Sequence, residues 1–436
     1  MPPGPPLPRL LPGAAAPRHG GPIGLDDHLR TYGPMPLPGR NGRRPRARLI
    51  DMVERAGLTG RGGAGFPTGR KLRSVASGGS EAVVVANGSE GEPASFKDRL
   101  LLMQLPHLVL DGISLAADAV GAREAYLCVH RGDGGLGPLL RDAVKDRWDS
   151  GIDQVRIQVP ELPARYVASE QSAVVNHING GPAKPTFSPP RTHESGVRGR
   201  PTLVNNVETL ANIALIARYG DGWFRSVGLP SAPGSTLLTV GGAVRRPGVY
   251  EIALGTTIGQ VLTLAEVTAP LQSVLTGGYF GAWLPARAAW QIPLTHAALK
   301  AAGGALGAGI LIALPESACG LAETARVLRY LADETAAQCG PCVMGLPALA
   351  SVVAEAAYEG GRAGGLKRAE RLRRFIAGRG ACRHPDGASQ LAMSALNTFA
   401  ADLRWHEQQG PCPGVRQAPL LPLPVSHTAE EEVGWR

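Results

Sequence analysis

The run LTGRGGAGFPTGRK, residues 58–71, places five glycines within ten positions, from Gly60 to Gly69. A backbone so free of side chains adopts positive φ and lets another molecule approach its amides closely. Bare main-chain N–H groups followed by Arg70 and Lys71 suit a phosphate or pyrophosphate. Gly60, Gly62 and Gly65 also satisfy G-x-G-x-x-G, a dinucleotide fingerprint that should follow a strand and open a helix. Here the preceding residues 47–56 space Leu49, Ile50, Met52 and Val53 as a helix does, and the clear strand, Ala82–Ala86, comes afterwards. The run is therefore read as a nucleotide loop outside the usual strand–loop–helix order. A merely flexible loop is the alternative, and the flanking Phe66-Pro67-Thr68 and Lys71 argue against it.

Around this loop the pattern alternates. Strands are predicted at Ala82–Ala86, Ala125–Val129 and Val155–Val159, and helices at Pro106–Val120 and Pro138–Trp148, which argues for a layered α/β region. The first strand ends in Asn87-Gly88-Ser89-Glu90-Gly91-Glu92-Pro93, and open α/β sheets place ligand crevices at such strand ends. From Gly234 short strands (Leu237–Val240, Gly248–Ile252, Ser273–Leu275) and one helix (Thr257–Ala265) suggest a small α+β unit. Helical periodicity resumes near Ala322 and runs to about Trp405, broken at Gly340-Pro341 and across 378–387.

Charge narrows the partners. The net charge is +9, but residues 1–50 hold eight arginines against two acidic side chains, so the remainder is only mildly basic. No Lys/Arg stripe interleaved with aromatics suggests nucleic acid. The first 48 residues carry twelve prolines and are expected to form a disordered basic arm, and the tail from Glu407 is expected to be loose. No signal-peptide core and no 18-residue apolar run is seen, so a cytoplasmic protein is expected.

Six cysteines in 436 residues do not make a disulfide framework. Cys339-Gly-Pro-Cys342, with Cys382 forty residues on, suits soft-metal chemistry: an iron–sulfur cluster, zinc, or inert thiols all remain open. Glu90 and Glu92 can bind ribose hydroxyls or orient a ring. Glu170 reads equally as a binding carboxylate or as a charge favoured at a helix N-terminus. Asn205 or Asn206 reads as a binding group or as a helix cap.

Taken together, the glycine run, residues 87–99 (NGSEGEPASFKDR), 166–173 (YVASEQSA), 201–210 (PTLVNNVETL) and the late cysteines resemble one family in order and spacing. The chain is similar to the FMN- and NADH-binding flavoprotein subunits of respiratory NADH dehydrogenase, a family that includes hydrogenase and formate dehydrogenase diaphorase subunits. The resemblance spans roughly residues 49–405. It implies a modified Rossmann-like FMN domain (49–230), a β-grasp soluble-ligand-binding module (234–300) and a helical iron–sulfur domain (320–406), flanked by the arm (1–48) and the tail (407–436). Gly60, Arg61, Gly62, Gly63, Ala64, Gly65 and Lys71 would approach the flavin phosphate and the dinucleotide. Phe66 would stack on NADH, with Lys184 and Phe187 on the adenine side. Glu90 and Glu92 would be the catalytic carboxylates, Asn87 would line the same wall, and Glu170 and Gln171 would contact cofactor. Asn205, Asn206 and Thr209 would form the far wall of the FMN pocket. Hydride would pass from NADH to FMN and single electrons through a cluster on Cys339, Cys342 and Cys382 to a ferredoxin-like or membrane-bound partner.

Three departures from the family pattern stand out. Ala336 occupies the position of the first cluster thiolate, implying a labile [4Fe–4S] or a [3Fe–4S] centre, with Cys319 a substitute ligand if the fold brings it near. Gln171 stands where a second glutamate is usual, which implies weaker exclusion of NADPH. Ser89 replaces a common aspartate. Two other readings compete with the dehydrogenase: a cluster-free diaphorase and a non-catalytic scaffold.

Overall fold

The computed structural model describes residues 7–11, 21–36, 47–78, 81–360, 364–424 and 435. Its first sheet contains β1 (Val83–Asn87), β2 (Glu124–His130), β3 (Arg156–Gln158), β4 (Glu161–Leu162) and β5 (Thr202–Asn206). The strand order is β3-β2-β1-β5, all parallel, with β4 extending the far end of β2. β1 reads Val-Val-Val-Ala and is buried on both faces, as a central parallel strand must be. The chain leaves β1 toward β2 on one side and returns to β5 on the other. The crevice beyond the carboxyl ends of β1 and β5 is thus a topological switch point, where open sheets bind ligands.

The helix Pro106–Val120 forms as predicted, opened by proline in its first turn and closed by Gly121 in the left-handed conformation. It is buried along nearly its whole length beneath the sheet. Its Asp111 accepts from His28 and Arg147, each at 2.8 Å, and from Arg218. The His28 hydrogen bond and the Arg147 and Arg218 guanidinium charges hold the Asp111 carboxyl down at about 2 even though burial alone would raise it.

β6 (Gly228–Leu229) and β7 (Ala232–Pro233) make a short ribbon that leads into a second sheet. This contains β8 (Ser235–Gly242), β9 (Gly248–Ala253), β10 (Leu271–Thr276), β11 (Ala282–Pro285) and β12 (Ile310–Pro315), ordered β11-β10-β12-β8-β9. β12 runs parallel to β8 and the other pairings are antiparallel. This sheet reaches Pro315, past the expected limit of 300, because β12 fills the gap between β8 and β10. Helices Gly320–Asp333, Leu346–Tyr358, Gly365–Ile376, His384–Thr398 and Ala400–Gln409 close the fold. The stretch Pro341–Tyr358 is long and apolar enough to span a membrane, but it packs against Gly320–Asp333 within this helical group.

Both ends of the chain depart from expectation where they are described. Within the supposed disordered arm, Leu25–Tyr32 is a helix whose His28 is buried on Asp111. Upstream, the Arg9 guanidinium sits 3.9 Å from the Trp223 ring centroid and donates to Trp223 O and Phe224 O, while Leu10 is fully buried. In the supposed loose tail, Leu420 and Leu421 donate backbone N–H groups to Glu323 at 3.0 Å each, and Trp435 is buried. Proline-rich segments lack periodicity, but isolated anchors still fix them to a preformed surface.

Candidate functional site

A cavity of 610 Å³ opens at the carboxyl ends of β1 and β5 and is lined by both sheets and the helical group. The first wall is the glycine run. It follows the helix Ala47–Ala56 and precedes the helix Thr68–Ala76, so it does not occupy a strand-to-helix turn. Gly63 and Gly65 have φ of +113° and +61°. A Cβ on Gly65 would lie 2.7 Å from the His296 ring, so position 65 needs glycine for both conformation and space. The loop is fixed from outside: Arg61 N donates to Thr209 Oγ1 at 2.9 Å, and the buried Arg61 guanidinium donates to Ser235 O at 3.0 Å. Gly60, Gly62, Ala64 and Phe66 complete this wall, with Phe66 54% exposed.

Lys71, on the helix after the loop, directs its ammonium to the Val204 carbonyl and to Gln171 Oε1 at 3.2 Å. Both partners are neutral, and desolvation pulls the lysine pKa down from 10.5 to about 8. Gln171 is held on its other side through Nε2 to Thr192 Oγ1.

The turn after β1 carries the acidic pair. Glu90 accepts from Ser95 Oγ and from the N–H groups of Asp98 and Arg99, at 3.2 and 3.1 Å, so its carboxylate caps the helix Lys97–Gln104. Glu92 Oε2 accepts from Tyr166 OH and Tyr279 N, each at 2.9 Å, while its Oε1 is buried without a partner. Burial pushes both carboxyls up to about 7. Asn87 donates to Ser169 O at 2.8 Å and accepts from Ser89, so Ser89 serves the geometry of this turn.

The caps expected from sequence are real. Glu170 accepts from Ser172 N and Ala173 N at the start of the helix Gln171–Ile178. Asn206 accepts from Glu208 N at the start of Val207–Tyr219. Both residues also line the cavity, so capping and lining are not exclusive. Asn205, at the end of β5, keeps a buried Nδ2 without a partner.

The sequence reading missed the buried ionic floor. Lys97 Nζ bonds to Asp98 Oδ1 at 2.7 Å and Glu208 Oε2 at 2.9 Å, and Asn206 Nδ2 donates to Asp98 Oδ2 at 2.6 Å. The adjacent Phe96-Lys97-Asp98 lie within the run 87–99, and charged residues at the start of an apolar helix were the available signal. Also missed was the wall from the second sheet, Gly277, Phe280, Ala305, Gly307 and Ala308.

Two expected residues do not join this lining. Phe187 is 78% exposed, and Lys184 Nζ stands 5.1 Å from the centroid of the Trp435 ring.

Cys382, Arg383 and His384 form a further wall, which brings one of the late cysteines to the cavity. The Cys342 thiol is buried and raised, with Cys339 and Cys382 as neighbouring sulfur groups. Ala336 is buried and offers no ligand, and Ala337 beside it holds a φ of 54°, uncommon for a residue with a Cβ. Cys339, Cys342 and Cys382 are thus neighbours, and position 336 adds no thiol to them. Cys319 does not fill the gap: its Sγ lies 3.9 Å from His406 Nε2, in a separate group with Cys412.

Residues 53–215 match the family described as the Nuo51 FMN-binding domain, and residues 318–406 match the NADH-ubiquinone oxidoreductase-F iron-sulfur binding region. The NADH-quinone oxidoreductase F subunit of Streptomyces coelicolor is 30% identical over 84% of this chain and 84% of its own length. Its counterpart in Escherichia coli is 30% identical over 80% of this chain and 82% of its own. Among solved structures, the NAD+-reducing [NiFe]-hydrogenase in the H2-reduced state superposes with a TM-score of 0.76 at 30% identity, covering 85% of this chain. This chain spans 63% of that hydrogenase chain.

Proposed function

The chain belongs to the family of NADH-quinone oxidoreductase F subunits, and we propose that it oxidises NADH at a bound FMN and passes electrons singly through an iron–sulfur centre to a ferredoxin-like or membrane-bound partner. The observation that carries this reading is one cavity that gathers a glycine-rich cradle with Lys71, an acidic turn with Glu90 and Glu92, and Cys382. Bound flavin supplies the conversion from hydride acceptance to one-electron release, and the protein supplies placement and electrostatics.

The residues present fit such cofactors. The buried Lys71 ammonium, with only neutral partners, offers an uncompensated positive charge for a phosphate. The orphaned Asn205 Nδ2 offers a hydrogen bond to a ring carbonyl at the end of β5. Glu92 Oε1, also unpartnered, holds or accepts a proton near neutral pH on the opposite wall. Phe66, exposed at the rim, supplies a face on which an aromatic ring stacks.

The same reading extends to the regions of the chain. Residues 49–230 act as the FMN domain, the second sheet as a β-grasp soluble-ligand-binding module, and the helical group as the cluster domain. Cys339, Cys342 and Cys382 hold the cluster with an incomplete protein ligand set. Val343 and Met344, 52% and 73% exposed beside Cys342, supply an apolar face for an electron-accepting protein. The neutral Gln171 amide leaves room for the 2′-phosphate of NADPH. A cytoplasmic location, with any membrane contact made through a partner, accords with this reading.

Ala336 favours one second reading, a diaphorase without a cluster. An absorption spectrum of anaerobically purified protein, before and after NADH, tests both. Flavin bands over a broad iron–sulfur shoulder, bleached by NADH, are expected. Flavin alone selects the diaphorase, and a colourless protein that also fails to bind added FMN overturns the redox assignment.

A further inference from the structure

Away from the cavity, a second group of donor atoms converges where the helix Gly320–Asp333 begins, the helix Ala400–Gln409 ends and the chain turns into its tail. Cys319 Sγ, a His406 ring nitrogen and Cys412 Sγ all lie within 4.8 Å of one another. The Cys319 Sγ to His406 Nε2 distance is 3.9 Å. In a tetrahedral zinc site with Zn–S of about 2.3 Å and Zn–N of about 2.0–2.1 Å, adjacent sulfur and nitrogen donors stand roughly 3.5–3.7 Å apart. The three residues thus need only a small closing movement to share one ion.

The imidazole is oriented for this role. His406 is fully buried, and its Nδ1 donates to the Ala356 carbonyl at 2.9 Å. That bond places the ring proton on Nδ1 and leaves the Nε2 lone pair facing the sulfurs, the arrangement by which backbone carbonyls set the tautomer of metal-bound histidines. In the metal-free arrangement that lone pair accepts from the Cys412 backbone N–H at 3.1 Å, which fixes Cys412 beside the ring, and an ion would take the place of this hydrogen bond. Cys319 caps the helix start and accepts from Ala322 N at 3.4 Å, which fixes its sulfur beside the ring.

We propose that Cys319, His406 and Cys412 bind one zinc ion through two thiolates and the Nε2 imidazole nitrogen. Binding displaces the two thiol protons to solvent, with no change in oxidation state. Cys412 is partly exposed, so water completes the tetrahedron. The ligand set selects the metal: two soft thiolates and an imidazole in a compact site suit zinc, whereas Ca²⁺ and Mg²⁺ require oxygen ligands.

The ion would staple the tail to the helical group. At Gly414 the tail crosses so close to the helix start that a Cβ there would fall 2.8 Å from Cys319 N. Further on, the tail returns to Glu323 through Leu420 and Leu421 and to Tyr279 through the Pro422 carbonyl.

Elemental analysis of the full chain, dialysed after purification, should give about one zinc per chain. Zinc should be lost in Cys412→Ser and in His406→Asn while flavin content stays unchanged. Cobalt reconstitution of the zinc-free wild type should give thiolate-to-cobalt charge-transfer bands that Cys412→Ser lacks. Where His406→Asn fails to fold, Cys412→Ser alone decides, since its side chain is the partly exposed member. Zinc retained by Cys412→Ser, a wild-type chain that takes up neither zinc nor cobalt here, or a Cys319–Cys412 disulfide in non-reducing peptide maps would each overturn the assignment.

Discussion

Replacing Lys71 by methionine should stabilise the ligand-free protein and weaken its hold on FMN, two effects of opposite sign from one buried charge. Desolvation lowers the lysine pKa from 10.5 to about 8, and each unit is about 1.4 kcal/mol, so the charged form costs the fold on the order of 3 kcal/mol at pH 7. Lys71→Met removes that cost but leaves the Val204 carbonyl without its donor, a loss of about 1 kcal/mol. The expected gain in urea denaturation at pH 7 is therefore about 1–2 kcal/mol. The sign with pH follows. Between about 8 and 10.5 the unfolded chain holds a proton that the folded lysine has released, so wild-type stability rises with pH across that window relative to the variant. The relief from burying the charge is full below pH 8 and gone by about 10.5, where the lost Val204 hydrogen bond leaves Lys71→Met less stable than wild type by about 1 kcal/mol. FMN titration of the same variant, followed by quenching of flavin fluorescence, should show affinity reduced about 10–100-fold, the worth of a charge-assisted hydrogen bond to phosphate. A ligand-free variant less stable than wild type at pH 7, or unaltered FMN affinity, would refute the reasoning.

Three further outcomes follow from the same site. Gln171→Glu puts a carboxylate beside the proposed 2′-phosphate position, but Lys71 lies 3.2 Å from the Gln171 side-chain oxygen and offsets part of the repulsion. The NADPH-to-NADH ratio of kcat/KM should fall about tenfold, and a wild type that already strongly prefers NADH would contradict the premise. Gly65→Ala must hold a Cβ at φ +61° and 2.7 Å from His296, so thermal denaturation should show a loss of about 1–3 kcal/mol and the purified protein should lack FMN. Ala336→Cys should supply the absent thiolate; iron content should rise from about three to about four per cluster, with slower bleaching in air. Equal iron and equal oxygen lability in the two proteins would remove Ala336 as the cause.

Several elements were readable because their signals are local. The valine run of β1, the proline start and glycine stop of Pro106–Val120, and the glycine loop with its lysine each depend on residues a few positions apart. The acidic turn was readable for the same reason, since its glutamates sit at the end of a recognisable strand. Other features carried no local trace. β5 looked like a helix leader because Asn206 caps the following helix, yet its five residues form the end strand of the parallel sheet beside β1. β12 went unseen because it forms by pairing with β8 some seventy residues earlier. Prolines hid the anchoring of Arg9 and Leu10, whose partners at Trp223, Phe224 and Glu251 are more than two hundred residues away.

What the sequence by itself determined is the chemical inventory: a cradle of bare amides, a lysine, two carboxylates and three late thiols with one family position left as alanine. Backbone propensities and side-chain chemistry are properties of short segments, so they survive without knowledge of the fold. Only the tertiary structure decided which of these groups share a space. Burial, not identity, lowers the Lys71 pKa, raises those of Glu90 and Glu92, and leaves Asn205 and Glu92 with unmet hydrogen bonds. Folding likewise separated Cys319 from the other late cysteines and joined it to His406 and Cys412, 87 and 93 positions later in the chain. Desolvation and donor geometry arise when distant segments exclude water together, and no local pattern encodes that.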